Sequence, residues 1–337
     1  MFSNRMRALA CLGIIVIITT AGCTREITTV VSETPEPASC FECHSDQNTQ
    51  LVAIERQWEN SLHASGLNSS RSSASCSGCH TSEGFLQRVA GEETTNINNP
   101  TMIHCFTCHA PHTDQNFELR VDEPQMLADG TVVDIGKGNL CASCHQSRRD
   151  FDAYFSGNIN SPYWGPHHGT QTDLLYAANA HEFDGFDYQE TEWHRTLTED
   201  ACVQCHVRTS GQNWVVGGHS FNMRAMVDGV DGEDPDEFII TDSCKECHAD
   251  FGRDFDYRGA QTEIDNLVNE LNALLVTAGL LDATGHPIPG DTITKDTAGA
   301  LWNYLIVIED RSRGIHNPRY AKGLLQSSID FLSTPAN

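Results

Sequence analysis

Six copies of Cys-x-x-Cys-His punctuate the chain, at Cys40–His44, Cys76–His80, Cys105–His109, Cys141–His145, Cys202–His206 and Cys244–His248. Two thiols three residues apart, followed at once by an imidazole, match the spacing at which both sulfurs add to the vinyl groups of one porphyrin while the histidine ligates its iron. One copy reads equally well as a redox dithiol or half a zinc site; six copies, each with its immediate histidine, select covalent c-type haem. The thioether pairs are then Cys40 and Cys43, Cys76 and Cys79, Cys105 and Cys108, Cys141 and Cys144, Cys202 and Cys205, and Cys244 and Cys247. The proximal ligands are His44, His80, His109, His145, His206 and His248.

Six porphyrins between Cys40 and His248 leave little room for an ordinary core. The haems themselves are expected to form the apolar interior, with Trp58, Phe106, Trp164, Trp193 and Trp214 packed against them. The fold class that follows is mainly α, with short helices at the motifs, little other regular structure around a haem chain, and a helical bundle at the C-terminus. The unequal spacing of the motifs argues against a stacked repeat.

The two cysteines outside the motifs, Cys11 and Cys23, lie at the N-terminus, where Arg5 and Arg7 precede the apolar run Ala8–Ile18 and the small residues before Cys23. That run is shorter than the roughly 20 residues of a spanning helix and reads as a secretion signal. It resembles a bacterial lipoprotein signal, which implies cleavage before Cys23 and lipidation of that thiol. The expected organisation is a signal over 1–22, a flexible tether over 23–39, a hexahaem domain over 40–260 and a helical segment over 261–337. The protein is expected to be exported and lipid-anchored, at the periplasmic face, the outer membrane or the cell surface.

Loss of residues 1–22 removes two arginines and no acid, so the formal charge moves from −25 to −27. A surface of that sign excludes nucleic acid and suits basic redox partners, other cytochromes among them, with encounter rates that fall as salt rises. Asp228–Glu237 is the densest acidic stretch; it reads as a solvated loop, with calcium binding as the alternative.

Beyond the last motif, Ile264, Leu267, Val268, Leu271, Leu274 and Leu275 fall at helical spacing. Gly279 and the segment 284–290 end that helix. A second is expected from Asp296, as N-cap, to Arg313, and a third from Pro318 to about Leu332. The tail is assigned to packing, with homo-oligomer formation as the alternative.

Of sixteen histidines, ten lie outside the motifs, enough to give every iron a second imidazole. Local context selects His63, His112, His168, His194, His219 and His316 as distal ligands, with His104, His167, His181 and His286 in reserve; between His167 and His168 the sequence does not decide. Trp-x-x-Ser-x-His-Ala, Cys-His-x-Pro-His, Gly-Gly-His-x-Phe and Arg313-Gly-Ile-His-Asn-Pro resemble the superfamily of pentahaem nitrite reductases, octahaem hydroxylamine oxidoreductases and octahaem tetrathionate reductases. Trp-Gly-Pro-His-His-Gly-x-Gln also resembles outer-membrane cytochromes of metal-reducing bacteria. The resemblance implies that these histidines are distal ligands and that the C-terminal helices pack into oligomers. No motif here carries the Cys-x-x-Cys-Lys change of the nitrite reductases, and Tyr304 is the residue to examine for a hydroxylamine-oxidoreductase crosslink. The expected role is therefore an electron conduit of low-spin bis-histidine haems rather than an enzyme. A reductase of a small oxyanion with one open haem, and a haem-linked extracellular filament subunit, are the alternatives.

Overall fold

The computed structural model describes residues 45–66, 69–114, 117–189, 193–198, 200–209, 214–227, 236–252, 254–290 and 292–334. The signal, Cys23, the tether and the first motif with Cys40, Cys43 and His44 lie outside the described residues, as does most of the acidic stretch. The chain separates into the units Met1–Ser45 and Asp46–Asn337, and the second carries everything below. Among the described residues no helix is long and apolar enough to cross a membrane.

Among the described residues helices dominate and sheet is confined to two short antiparallel ribbons, Gln125–Met126 with Val132–Val133, and Arg224–Val227 with Asp236–Ile239. In the second ribbon Glu237 meets Arg224 at 2.7 Å, so this end of the acidic stretch is occupied by an ion pair.

The N-terminal helices are α1 (Thr49–Glu59), α2 (Ala74–His80) and α3 (Ser82–Val89). Asn48 caps α1 by accepting from the Leu51 amide. Thr81 both closes α2 and caps α3, accepting from the Gly84 amide, which folds the two helices tightly on each other. The remaining described motifs contain helices of about one turn: Cys105–Cys108, Asn139–Ala142, Cys202–His206 and Asp242–Lys245.

The C-terminal segment is a hairpin of long helices, α4 (Ala260–Thr277), α5 (Lys295–Asp310) and α6 (Pro318–Ser333). Two details differ from the sequence reading. Thr294, not Asp296, caps α5, because its side chain accepts from the Thr297 amide while Asp296 sits one position inside the helix and turns to His181. The helix stops at Asp310 rather than Arg313, because Arg311 and Arg313 take the left-handed backbone conformation, φ 59° and 55°. Pro318 opens α6 behind an Asn317 cap, as expected.

An ordinary hydrophobic core does exist. Leu271, Leu275, Leu301, Trp302, Ile306, Leu324 and Leu325 are buried between the three helices, and Phe151, Ile159, Trp164 and Leu174 from the motif region join them. Trp164, expected against porphyrin, is instead 2% exposed and stands edge-on to Trp302 at 5.4 Å. Trp193 and Trp214 are about half exposed. A smaller cluster of Leu127, Val133, Ile135, Ala142, Leu175 and Ala178 surrounds the fourth motif.

Candidate haem-binding sites

Each described motif is wound as a helical turn. The His109 amide donates to the Cys105 carbonyl at 2.9 Å, His145 to Cys141 at 2.8 Å and His248 to Cys244 at 2.8 Å. Residues three apart in such a turn share a face, so both thiols face the same way and the histidine follows one turn above the first cysteine.

Every described motif histidine faces a histidine from elsewhere in the chain, and the five separations are nearly identical. Ring centres lie 6.2 Å apart for His80 and His167, 6.3 Å for His109 and His219, and 6.2 Å for His145 and His63. They lie 6.3 Å apart for His206 and His316 and 6.2 Å for His248 and His194. An imidazole nitrogen sits about 2.0–2.1 Å from a first-row metal and roughly 1.1 Å from its own ring centre, so two rings on opposite sides of one metal lie about 6.3 Å apart. Direct ring packing of His167 on His168 is closer, 5.1 Å. The residues present therefore fit one iron held between each pair. Among the described residues no group of three or more His, Cys, Asp or Glu is placed to hold a metal ion.

Hydrogen bonds at the other ring nitrogen point the same way. Nδ1 of His109 meets the Phe117 carbonyl at 2.6 Å, Nδ1 of His206 the Phe221 carbonyl at 2.9 Å, and Nδ1 of His194 the Ile315 carbonyl at 2.8 Å. Nδ1 of His145 meets the Gln171 side-chain oxygen at 3.2 Å, and Nδ1 of His316 meets the buried Asp310 carboxylate. An acceptor at Nδ1 draws the proton there and leaves Nε2 with a free lone pair, the arrangement that fixes tautomer and ring direction in metal-ligating histidines. These acceptors escaped the sequence reading. Asp310 and Gln171 carry a faint signal, six residues before His316 and three after His168, but carbonyls carry none.

At six of these rings burial disfavours the charged form, and the neutral form is the one that ligates. His63 is lowered to about 4, chiefly by desolvation and then by His145. His167 is lowered to about 4 by desolvation, with Arg148 and His168 adding to it. Desolvation also lowers His80, His206, His219 and His248.

Local backbone explains how distant residues reach these positions. His63 lies in the 3-10 turn Leu62–Ser65, capped by Ser61. His219 follows Gly217 and Gly218, both at positive φ; a Cβ on Gly217 would lie 2.1 Å from the Arg208 carbonyl, and one on Gly218 would lie 2.2 Å from Gln57. The Gly-Gly-His sequence is thus required for that loop to close on α1, where Gln57 accepts from the His219 amide. The C-terminal hairpin does more than pack, because it supplies His316, the Asp310 carboxylate and the Ile315 carbonyl that orients His194.

The other histidines are placed differently. His168 instead directs its Nδ1 to Glu309, 2.5 Å from the carboxylate. His112 rests against Phe106 at 5.2 Å. His104 caps its own helix, Nδ1 accepting from the Phe106 amide, which leaves its proton on Nε2. His181 is buried against Phe183 and α5, bonded to Asp296 at 3.0 Å, and His286 bonds Thr284 in a turn. Tyr304 is buried in the helical core with its hydroxyl accepting from Asn272 at 2.7 Å.

Comparison with known proteins finds polyheme cytochromes. The chain is 23% identical to C-type polyheme cytochrome OmcB of Geobacter sulfurreducens over 87% of its own length and 47% of the relative's. It is also 23% identical to C-type polyheme cytochrome OmcC of the same organism, over 77% of its length and 43% of the relative's. The chain resembles the outer-membrane type of multihaem c-type cytochrome. It thus spans about half the length of the curated relatives it matches. Among solved structures it superposes on the Outer Cell Wall Cytochrome OcwA with a TM-score of 0.51 at 21% identity, over 82% of this chain and 50% of that one. No protein-family model matches it.

Proposed function

We propose that the protein is a hexahaem electron conduit, exported and held by lipid at Cys23, whose irons are six-coordinate between paired histidines. The observation that carries this reading is the common 6.2–6.3 Å spacing at which five motif histidines meet five others. The proposed pairs are His80 with His167, His109 with His219, His145 with His63, His206 with His316 and His248 with His194. His167 takes the place first offered to His168. The first motif contributes His44 and the thiols Cys40 and Cys43.

Bound haem would supply one-electron exchange between ferric and ferrous iron. The chain's own contribution would be to offer each bound iron two imidazoles at these five sites, leaving no open position for a substrate oxygen. Burial disfavours the charged form of His63, His80, His167, His206, His219 and His248, and Nδ1 acceptors fix the ring direction of His109, His145, His194, His206 and His316. The Tyr304 hydroxyl, engaged by Asn272 inside the helical core, lends no support to a crosslinked catalytic haem. Relatives named as polyheme cytochromes, and a structural neighbour named for the outer cell wall, favour redox partners outside the cytoplasm.

The test is mass spectrometry of the mature protein together with electron paramagnetic resonance of the oxidised form. Six covalent haems and only low-spin ferric signals are expected. Fewer haems would refute the count, and a high-spin signal that responds to nitrite would turn the reading to a reductase.

A further inference from the structure

Arg88 lies outside every motif yet touches two of them. It stands in the last turn of α3, and one guanidinium nitrogen, Nη1, donates to the Ser143 carbonyl at 2.6 Å and reaches the sulfur of Cys79 at 3.6 Å. The other, Nη2, reaches the sulfur of Cys144 at 3.2 Å and the Ser143 hydroxyl at 3.3 Å. Cys79 belongs to the second motif and Cys144 to the fourth. The guanidinium also lies over the Phe85 ring, 5.1 Å from its centre. Its charge is thus met by two sulfurs, a carbonyl, a hydroxyl and an aromatic face.

We propose that Arg88 is the positioning residue of a contact between the second and fourth haems, tying their thioether edges together and raising the reduction potential of both. The proposal rests on the multihaem reading above. Arginine carries five donors in a rigid planar fork and no acceptor, so it can hold two sulfurs and the Ser143 carbonyl at once, and a thioether sulfur remains a weak acceptor after haem attachment. A fixed positive charge beside an iron centre favours its reduced form, which carries one positive charge fewer. The partly buried setting weakens solvent screening of that effect. A purely structural arginine would stabilise the fold and leave the potentials where they are.

The experiment is a redox titration of the fully loaded protein, with each haem resolved by its resonance signal, for wild type, Arg88→Gln, Arg88→Leu and Arg88→Lys. Haem count and low-spin character are checked first, and their failure in wild type would refute the multihaem reading rather than this one. In the two neutral variants two of the six potentials should fall while four stay; Arg88→Lys, which keeps the charge, should return both towards wild type. Unmoved potentials, an equal fall in all six, or a fall of the same size in Arg88→Lys would overturn the proposal. If the leucine variant fails to load haem, the glutamine variant, close in shape and able to bond Ser143, gives the same reading.

Discussion

Replacing His167 and His168 one at a time separates two residues that the sequence cannot rank. His167 sits at φ 80°, a conformation that costs a non-glycine residue of order 1–3 kcal/mol. That strain turns its ring to within 6.2 Å of His80. His168 points to Glu309 with 66% of its side chain exposed, and an exposed ion pair contributes about 0–1 kcal/mol. His167→Gly should therefore relieve about 1 kcal/mol of backbone strain, lose an iron ligand, and convert one haem to high spin. Added imidazole should restore the low-spin spectrum by filling the vacated position. His168→Ala should leave the spectrum unchanged and lower the melting temperature by no more than a degree or few. Magnetic resonance and visible spectra of both variants decide it. A high-spin haem in His168→Ala, with none in His167→Gly, would refute the pairing and the spacing argument behind it.

Four further outcomes follow from the structure. On acidification the two haems served by His63 and His167 should stay low-spin to about pH 4, because both rings are held neutral down to that value and iron opposes protonation further; their conversion to high spin near pH 6 would contradict it. The sign for stability agrees: a histidine lowered from 6.5 to about 4 binds fewer protons folded than unfolded in that window, so stability falls as pH drops from 6.5 towards 4, which denaturant titrations across that range would measure. Asp310→Asn should weaken the hydrogen bond that makes His316 a stronger donor and raise the potential of one haem, with the count still six; a redox titration reads it. Trp302→Ala, at a fully buried position among three helices, should cost about 3–5 kcal/mol, seen as a lower thermal midpoint.

The three C-terminal helices were legible because a periodic apolar stripe and a proline at the first helical position act locally. Their ends were less so. Thr294 and Asp296 are both good caps, and only the direction of the incoming chain gave the role to Thr294 and sent Asp296 to His181. Trp164 looked like a haem-facing aromatic on composition alone, yet α5 arrived beside it and took it into the protein core.

What the sequence by itself determines is the covalent half of each proposed site. Cysteine, cysteine and histidine within five residues form one helical turn, so their mutual geometry follows from the local backbone wherever that turn lies. The second half belongs to the tertiary structure. His63 meets His145, His109 meets His219, and His206 meets His316 across long stretches of chain, and no local rule relates such partners. His194, His219 and His316 lie in contexts that marked them as ligands, but not for which motif. Between adjacent His167 and His168 the decision falls to one backbone angle and to the place where α5 sets Glu309. Arg88 is the extreme case: an ordinary helix-end arginine in sequence, it joins two motifs only because folding brings Cys79 and Cys144 to the same guanidinium.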